Sequence, residues 1–160
     1  MTDLIDQATA LLSKLEAAGL MVATAESCTG GLIAATLTEI AGSSTVVDRG
    51  FVTYSNEAKT DMLGVPADLI KAYGAVSEPV AKSMAEGALA RSQANITISV
   101  TGVAGPGGGS TDKPVGTVHF GCAREGRQTV HSQMLFENTD RAHVRIASVA
   151  HAFKLIEAML

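Results

Sequence analysis

Residues 21–40 read "MVATAESCTGGLIAATLTEI" and change character halfway. "MVATAES" is a short apolar run that reads as a buried strand. After it, Leu32, Ile33, Thr36, Leu37 and Ile40 fall on one side of a helix predicted over 30–40. Ser27, Cys28, Thr29 and the paired Gly30 and Gly31 stand at the junction. A strand that turns at once into a helix is the unit of layered α/β packing, so this stretch constrains the fold more than any other.

The rest of the chain extends that pattern. Asp3 is placed to cap a first helix with the stripe Leu4, Ile5, Ala8, Leu11, Leu12 and Leu15, and Gly19 ends it. "TVVDRGFVTY" is rich in β-branched and aromatic residues and reads as a strand ending near Tyr54. "SNEAKTDML" reads as a helix with Ser55 as cap and Gly64 as stop, and Pro66 opens a short one that Gly74 closes. Ser77 and Glu78 open a longer helix with Pro79 in its first turn. "ITISV" is a strand alternating Ile/Val with hydroxyl residues, and a glycine-rich loop follows it. "VGTVHFGCA" and "TVHSQMLF" flank the turn "REGR" as a hairpin. A last helix is predicted from Asp140 to Leu160, with Ile146, Val149, Ala150, Phe153, Ile156 and Leu160 as its stripe. The expected architecture is a three-layer α/β/α sandwich with a mixed, mostly parallel sheet and a C-terminal antiparallel hairpin. No repeat or linker divides the chain, so residues 1–160 are expected to form one domain.

Composition narrows the function. Net charge is −4 with no Lys/Arg run, Trp is absent and aromatics are 4%, which argues against nucleic acid as a partner. No apolar run reaches the ~20 residues of a membrane span. The first residues are acidic and amphipathic, unlike a secretory signal. Two cysteines, Cys28 and Cys122, are too few for a disulfide framework, so a reducing cytoplasm is expected with both as small buried hydrophobes.

Several groups invite chemistry. The first N–H groups of a helix after "SCTGG" lack intrahelical partners, and glycines there would let an anion or oxyanion approach. Equally, Thr29 caps the helix and the glycines relieve crowding. The loop "TGVAGPGGGSTDKP" fails the P-loop pattern, because no Gly-Lys-Ser/Thr follows and a strand comes next. Its glycines can still line a ligand or simply form a surface loop. Ser110 and Lys113 match S-x-x-K but lie among glycines and a proline, where a helix is not expected. His119, His131, His143 and His151 have no metal-ligand spacing, so no metal is expected. Arg141 and Arg145 sit in the first turns of the last helix, where cations are electrostatically misplaced. An anionic ligand would explain them, as would surface ion pairs. Tyr54 and Lys59 sit where both can point toward one sheet edge, and a desolvated lysine can serve as a general base.

Taken together, "AESCTGG", "RGFVTYSNEAK", "GAVSEPVA", "VTGVAGPGGGSTDKPVGTV" and "TDRAHVR" resemble the CinA C-terminal domain family, whose members include nicotinamide mononucleotide amidohydrolases. The resemblance runs from Thr24 to the final helix. It implies hydrolysis of the carboxamide of a nucleotide substrate, with Ser27 as nucleophile, Lys59 as base and Tyr54 as helper hydroxyl. It also implies substrate contacts from Thr29, Gly30, Gly31, Thr101, Gly102, Gly105, Arg141 and Arg145, the arginines on the phosphate. Neither metal nor cofactor is implied, and a homodimer would suit the loop and the arginines. Two other functions compete with this one: an interaction module without catalysis, suggested by the family's competence-related name, and a hydrolase using Cys28.

Overall fold

In the computed structural model, which describes residues 2–160, five strands make one sheet: β1 (Val22–Glu26), β2 (Val47–Val52), β3 (Ile96–Gly102), β4 (Thr117–Arg124) and β5 (Val130–Leu135). Their order is β2-β1-β3-β4-β5. β1 pairs in parallel with β2 and with β3, whereas β3–β4 and β4–β5 are antiparallel. Six helices cover the sheet: α1 (Thr2–Ala18), α2 (Leu32–Thr38), α3 (Asn56–Leu63), α4 (Ala67–Tyr73), α5 (Glu78–Ala90) and α6 (Arg141–Ala158). The α/β architecture with helices on both faces is the one expected, hairpin included.

Alternation along β3 separates the two faces. Ile96, Ile98 and Val100 join the core under α1, α2 and α6, together with Leu11, Leu15, Phe120 and Phe153. The intervening hydroxyls turn toward α5. Thr97 Oγ1 donates to the Ala85 carbonyl at 2.6 Å and Ser99 Oγ to the Ala81 carbonyl at 2.5 Å. Polar side chains are thus buried at no loss of hydrogen bonding. Their helix presents the small, buried Ala81 and Ala85 to this strand and Gly87 to Leu63 of α3, so it sits close to both. A second core joins Ala25, Leu63, Val65, Ile70, Val80 and Met84 beneath α3–α5.

Boundaries follow the caps. Ser55 Oγ accepts from the Ala58 N–H at 3.0 Å to start α3, and Gly64 ends it in the left-handed region at φ 68°. Asp140 Oδ1 accepts from the His143 N–H at 2.8 Å to start α6. Three expectations shift. α1 begins at Thr2, so Asp3 lies inside its first turn rather than capping it. β2 stops at Val52, two residues before Tyr54. On α6 the buried stripe runs through Val144, Ser148, Val149, Ala152, Phe153 and Ile156, and Ile146 is exposed. The helix needs small residues where it meets the sheet and α2, and Ser148 supplies one by returning its hydroxyl to the Val144 carbonyl.

Gly87 tests the close packing of α5. Helix propensity alone predicts that Gly87→Ala stabilises by ~1 kcal/mol. A Cβ there would lie 2.0 Å from the Leu63 carbonyl oxygen, a backbone atom that cannot swing aside. The clash should win and cost about 1–3 kcal/mol. Urea unfolding measures the sign; a variant as stable as the parent contradicts this packing.

Candidate active site

The site forms where β1 and β2 end. Ser27 directly follows β1, and its N–H donates to the Val100 carbonyl of β3 at 2.9 Å, which fixes the backbone at the strand end. β2 ends one strand over, and Ser55 starts α3, which carries Lys59 back toward β1. Lys59 Nζ then lies 2.9 Å from Ser27 Oγ, 2.9 Å from the Thr53 carbonyl and 3.3 Å from the Tyr54 carbonyl. Lys59 is 1% exposed and Ser27 8%. Burial pulls the Lys59 amine below its ordinary value of 10.5, with the neighbouring Cys28 opposing the shift. The pair is thus a hydroxyl in direct contact with an amine whose neutral form burial favours.

Around it opens a cleft of about 260 Å³ whose wall includes Ser27, Cys28, Tyr54, Asn56, Lys59, Thr101, Gly102 and Arg141. Thr101 Oγ1 donates to the Ala75 carbonyl at 2.9 Å, which ties the β3 end to the loop before α5. A larger groove of about 420 Å³ lies between α3 and α4 and shares Asn56 with the cleft. Its wall holds Glu57, Thr60, Asp61 and Lys71, without the buried hydroxyl–amine pair that the smaller cleft has in Ser27 and Lys59.

Other expected residues have different positions. Tyr54 is 63% exposed, and its phenol lies 3.3 Å from Arg141 Nη2, so its backbone carbonyl meets Lys59 and its phenol does not. Arg141 also donates to the Gly105 carbonyl at 2.8 Å. Arg145 is outside the cleft wall; its Nε and Nη2 donate to the Cys28 and Thr29 carbonyls at 3.2 and 3.0 Å. Thr29, Gly30 and Gly31 are also outside the wall. Gly30 and Gly31 have φ of 58° and 100°, a left-handed turn that explains the glycines through backbone shape.

Sequence reasoning missed the role of Glu26. It is fully buried; Oε1 accepts from the Ile33 N–H at 2.8 Å and the Thr29 hydroxyl at 2.7 Å, and Oε2 from the Ala34 N–H at 3.0 Å. These are the α2 donors expected to be free for an oxyanion, so that expectation is corrected. Thr29 is likewise not the cap, since Gly31 holds that position. A carboxylate directly before a glycine turn and helix was the available signal.

Cys28 is 6% exposed, and burial pushes its thiol up to about 11, with Glu26 adding to the rise. A thiol held protonated at neutral pH is a poor nucleophile. Ser110 and Lys113 share an exposed turn, where Ser110 Oγ accepts from the Lys113 N–H at 3.1 Å and the lysine amine goes to the Tyr73 carbonyl. His119 Nδ1 and His131 Nε2 are 2.8 Å apart beyond the cleft wall, and burial drives His119 down to about 4. Among the described residues no cluster of three His, Cys, Asp or Glu side chains is arranged to hold a metal, and no helix is long and apolar enough to cross a membrane.

The sequence model of the CinA C-terminal domain matches residues 5–160. A CinA-like protein of Mycolicibacterium gilvum is 53% identical over 156 residues, 97% of this chain and 35% of its own length. This chain spans about a third of such relatives. A protein named nicotinamide-nucleotide amidohydrolase PncC, from Escherichia coli strain K12, is 49% identical over 89% of this chain and 86% of its own. The crystal structure of the competence/damage inducible protein CihA from Agrobacterium tumefaciens superposes with a TM-score of 0.95 at 51% identity, covering 98% of this chain and 94% of that one.

The buried amine gives a stability signature. The unfolded chain holds the Lys59 proton up to about 10.5, and the folded chain releases it at a lower pH. Folded stability should therefore rise as pH climbs from the depressed value to 10.5, because there the unfolded state binds the extra proton. Urea titrations of the parent and Lys59→Met at several pH values should show the parent gaining on the variant through that window. Parallel curves would mean that the amine is not desolvated.

Proposed function

The chain belongs to the CinA C-terminal domain family, and we propose that it hydrolyses the carboxamide of nicotinamide mononucleotide to the acid and ammonia. The observation that carries this reading is the buried 2.9 Å contact between Lys59 Nζ and Ser27 Oγ at the wall of a cleft. The likeness to PncC, a protein named for this amidase activity, supports the substrate.

In the proposed reaction, neutral Lys59 takes the proton of Ser27 directly, as Oγ bonds to the amide carbon. The tetrahedral oxyanion is met by a backbone donor. The Cys28 N–H is suited to this, because it follows the nucleophile and bonds to no other residue among those described. Lys59 then returns the proton to the amide nitrogen, the C–N bond breaks and ammonia leaves. Water, deprotonated by the same amine, hydrolyses the acyl-enzyme to the carboxylic acid. Each turnover consumes one water and leaves Ser27 and Lys59 as they began.

Arg141 is the cation for the substrate phosphate, since it lines the cleft and is an exposed residue. Tyr54, bonded to it at the rim, orients the substrate there. Thr101 and Gly102 form the facing wall. Such binding at a distance positions the amide against Ser27.

Ser27→Ala should lower ammonia release on the order of 10³-fold or more while binding persists. Turnover near that of the parent would rule out covalent catalysis by this residue. In the parent, kcat/KM should rise with pH along a limb set by the free Lys59 amine, below 10.5, and Lys59→Met should abolish it. Cys28→Ala should keep the parent's turnover; a collapse would favour the cysteine hydrolase instead.

A further inference from the structure

The turn that carries Ser27 is gripped from both of its polar ends by buried or half-buried charges. Residues 27–31 belong to no strand or helix. On one end, the carboxylate of Glu26 collects the Ile33 and Ala34 N–H groups and the Thr29 hydroxyl. On the other, the guanidinium of Arg145 collects the Cys28 and Thr29 carbonyls. Both oxygens of Glu26 accept hydrogen bonds and the residue is fully buried outside the cleft wall, so it does not line the space where substrate would sit. Arg145 comes from α6, more than a hundred residues along the chain, and its fork geometry spans two successive carbonyls.

We infer that Glu26 and Arg145 are positioning residues for the hydrolysis, holding the Ser27 turn in its reactive shape, and that Arg145 does not grip the substrate phosphate. This rests on Ser27 being the nucleophile. The two charges hold different groups of one segment: the carboxylate takes the Thr29 hydroxyl and the Ile33 and Ala34 N–H donors, the guanidinium the Cys28 and Thr29 carbonyl acceptors. Removing either lets the left-handed Gly30–Gly31 segment relax, and Ser27 drifts from Lys59. A misplacement of about 1 Å at a nucleophile can cost on the order of 10²-fold in rate. Lysine in place of Arg145 keeps the charge but cannot bridge two carbonyls in a plane, so it separates charge from geometry.

The test compares kinetics with binding. Arg145→Lys and Glu26→Gln should each lower kcat for nicotinamide mononucleotide by about 10- to 100-fold and leave KM within about twofold. In a Ser27→Ala background, adding Arg145→Lys should leave the calorimetric Kd for nicotinamide mononucleotide unchanged, whereas adding Arg141→Gln should weaken it. A tenfold weaker Kd from Arg145→Lys, or an unchanged kcat in either single variant, overturns the inference. Should Glu26→Gln fail to fold, the Arg145→Lys kinetics and Kd decide alone. Retained turnover in Ser27→Ala is a separate outcome and overturns the underlying mechanism instead.

Discussion

An ammonium group in a protein interior is costly, and the Lys59 site answers that cost in two ways. Its amine loses water but meets three oxygens, the hydroxyl of Ser27 and the carbonyls of Thr53 and Tyr54. Those acceptors satisfy donors without supplying a full negative charge. A carboxylate in their place would hold the proton on the amine and raise its pKa. Neutral acceptors leave desolvation in control, and the amine is depressed. The nearest buried carboxylate, Glu26, spends both of its oxygens on the neighbouring helix start and turn.

The topology explains why these groups meet. β1 and β2 are parallel neighbours, so their C-terminal ends lie side by side. The chain leaves β1 toward α2 on one face and leaves β2 toward α3 on the other. Adjacent strands with diverging exits open a crevice beyond their carboxyl ends, where α/β sheets commonly place ligands. Ser27 comes from one lip and Lys59 and Tyr54 from the other. β3, parallel to β1 on its far side, brings Thr101 and Gly102 to the same edge. The glycine-rich loop contributes through Gly105, whose carbonyl anchors Arg141.

What the sequence made legible divides along the range of the interaction. Local signals succeeded: Ser55 and Gly64 bounded α3, and the hydroxyl alternation in "ITISV" marked a two-faced strand. The juxtaposition of Ser27 with Lys59 was expected only through resemblance, because 32 residues separate them and no periodicity links them. Long-range polar pairing was illegible. Nothing around Arg145 shows that its partners are the carbonyls of residues 28 and 29. Its odd place at a helix N-terminus pointed to an anion, and within the chain it meets two neutral backbone carbonyls. Glu26 carried no assigned role in the sequence, yet its burial and three bonds tie it to the turn and α2. On α6, Ile146 looked like core by hydrophobicity, but packing selected the smaller Ser148 and Ala152.

In the proposed mechanism the same burial also separates the two nucleophile candidates that stand side by side in "ESCT". Desolvation penalises whichever form of a group is charged. For an amine this favours the neutral base, and Lys59 moves down. For a thiol it disfavours the reactive anion, and Cys28 moves up to about 11, helped by the adjacent Glu26 charge. A cysteine nucleophile needs an electropositive, partly exposed setting that lowers its pKa. A serine needs no anion beforehand, only a base in contact that takes its proton during attack. An environment dry enough to make Lys59 that base is therefore one in which Cys28 stays inert. In the proposed chemistry the low-dielectric end of the cleft selects the hydroxyl over the thiol, although the thiol is intrinsically the better nucleophile.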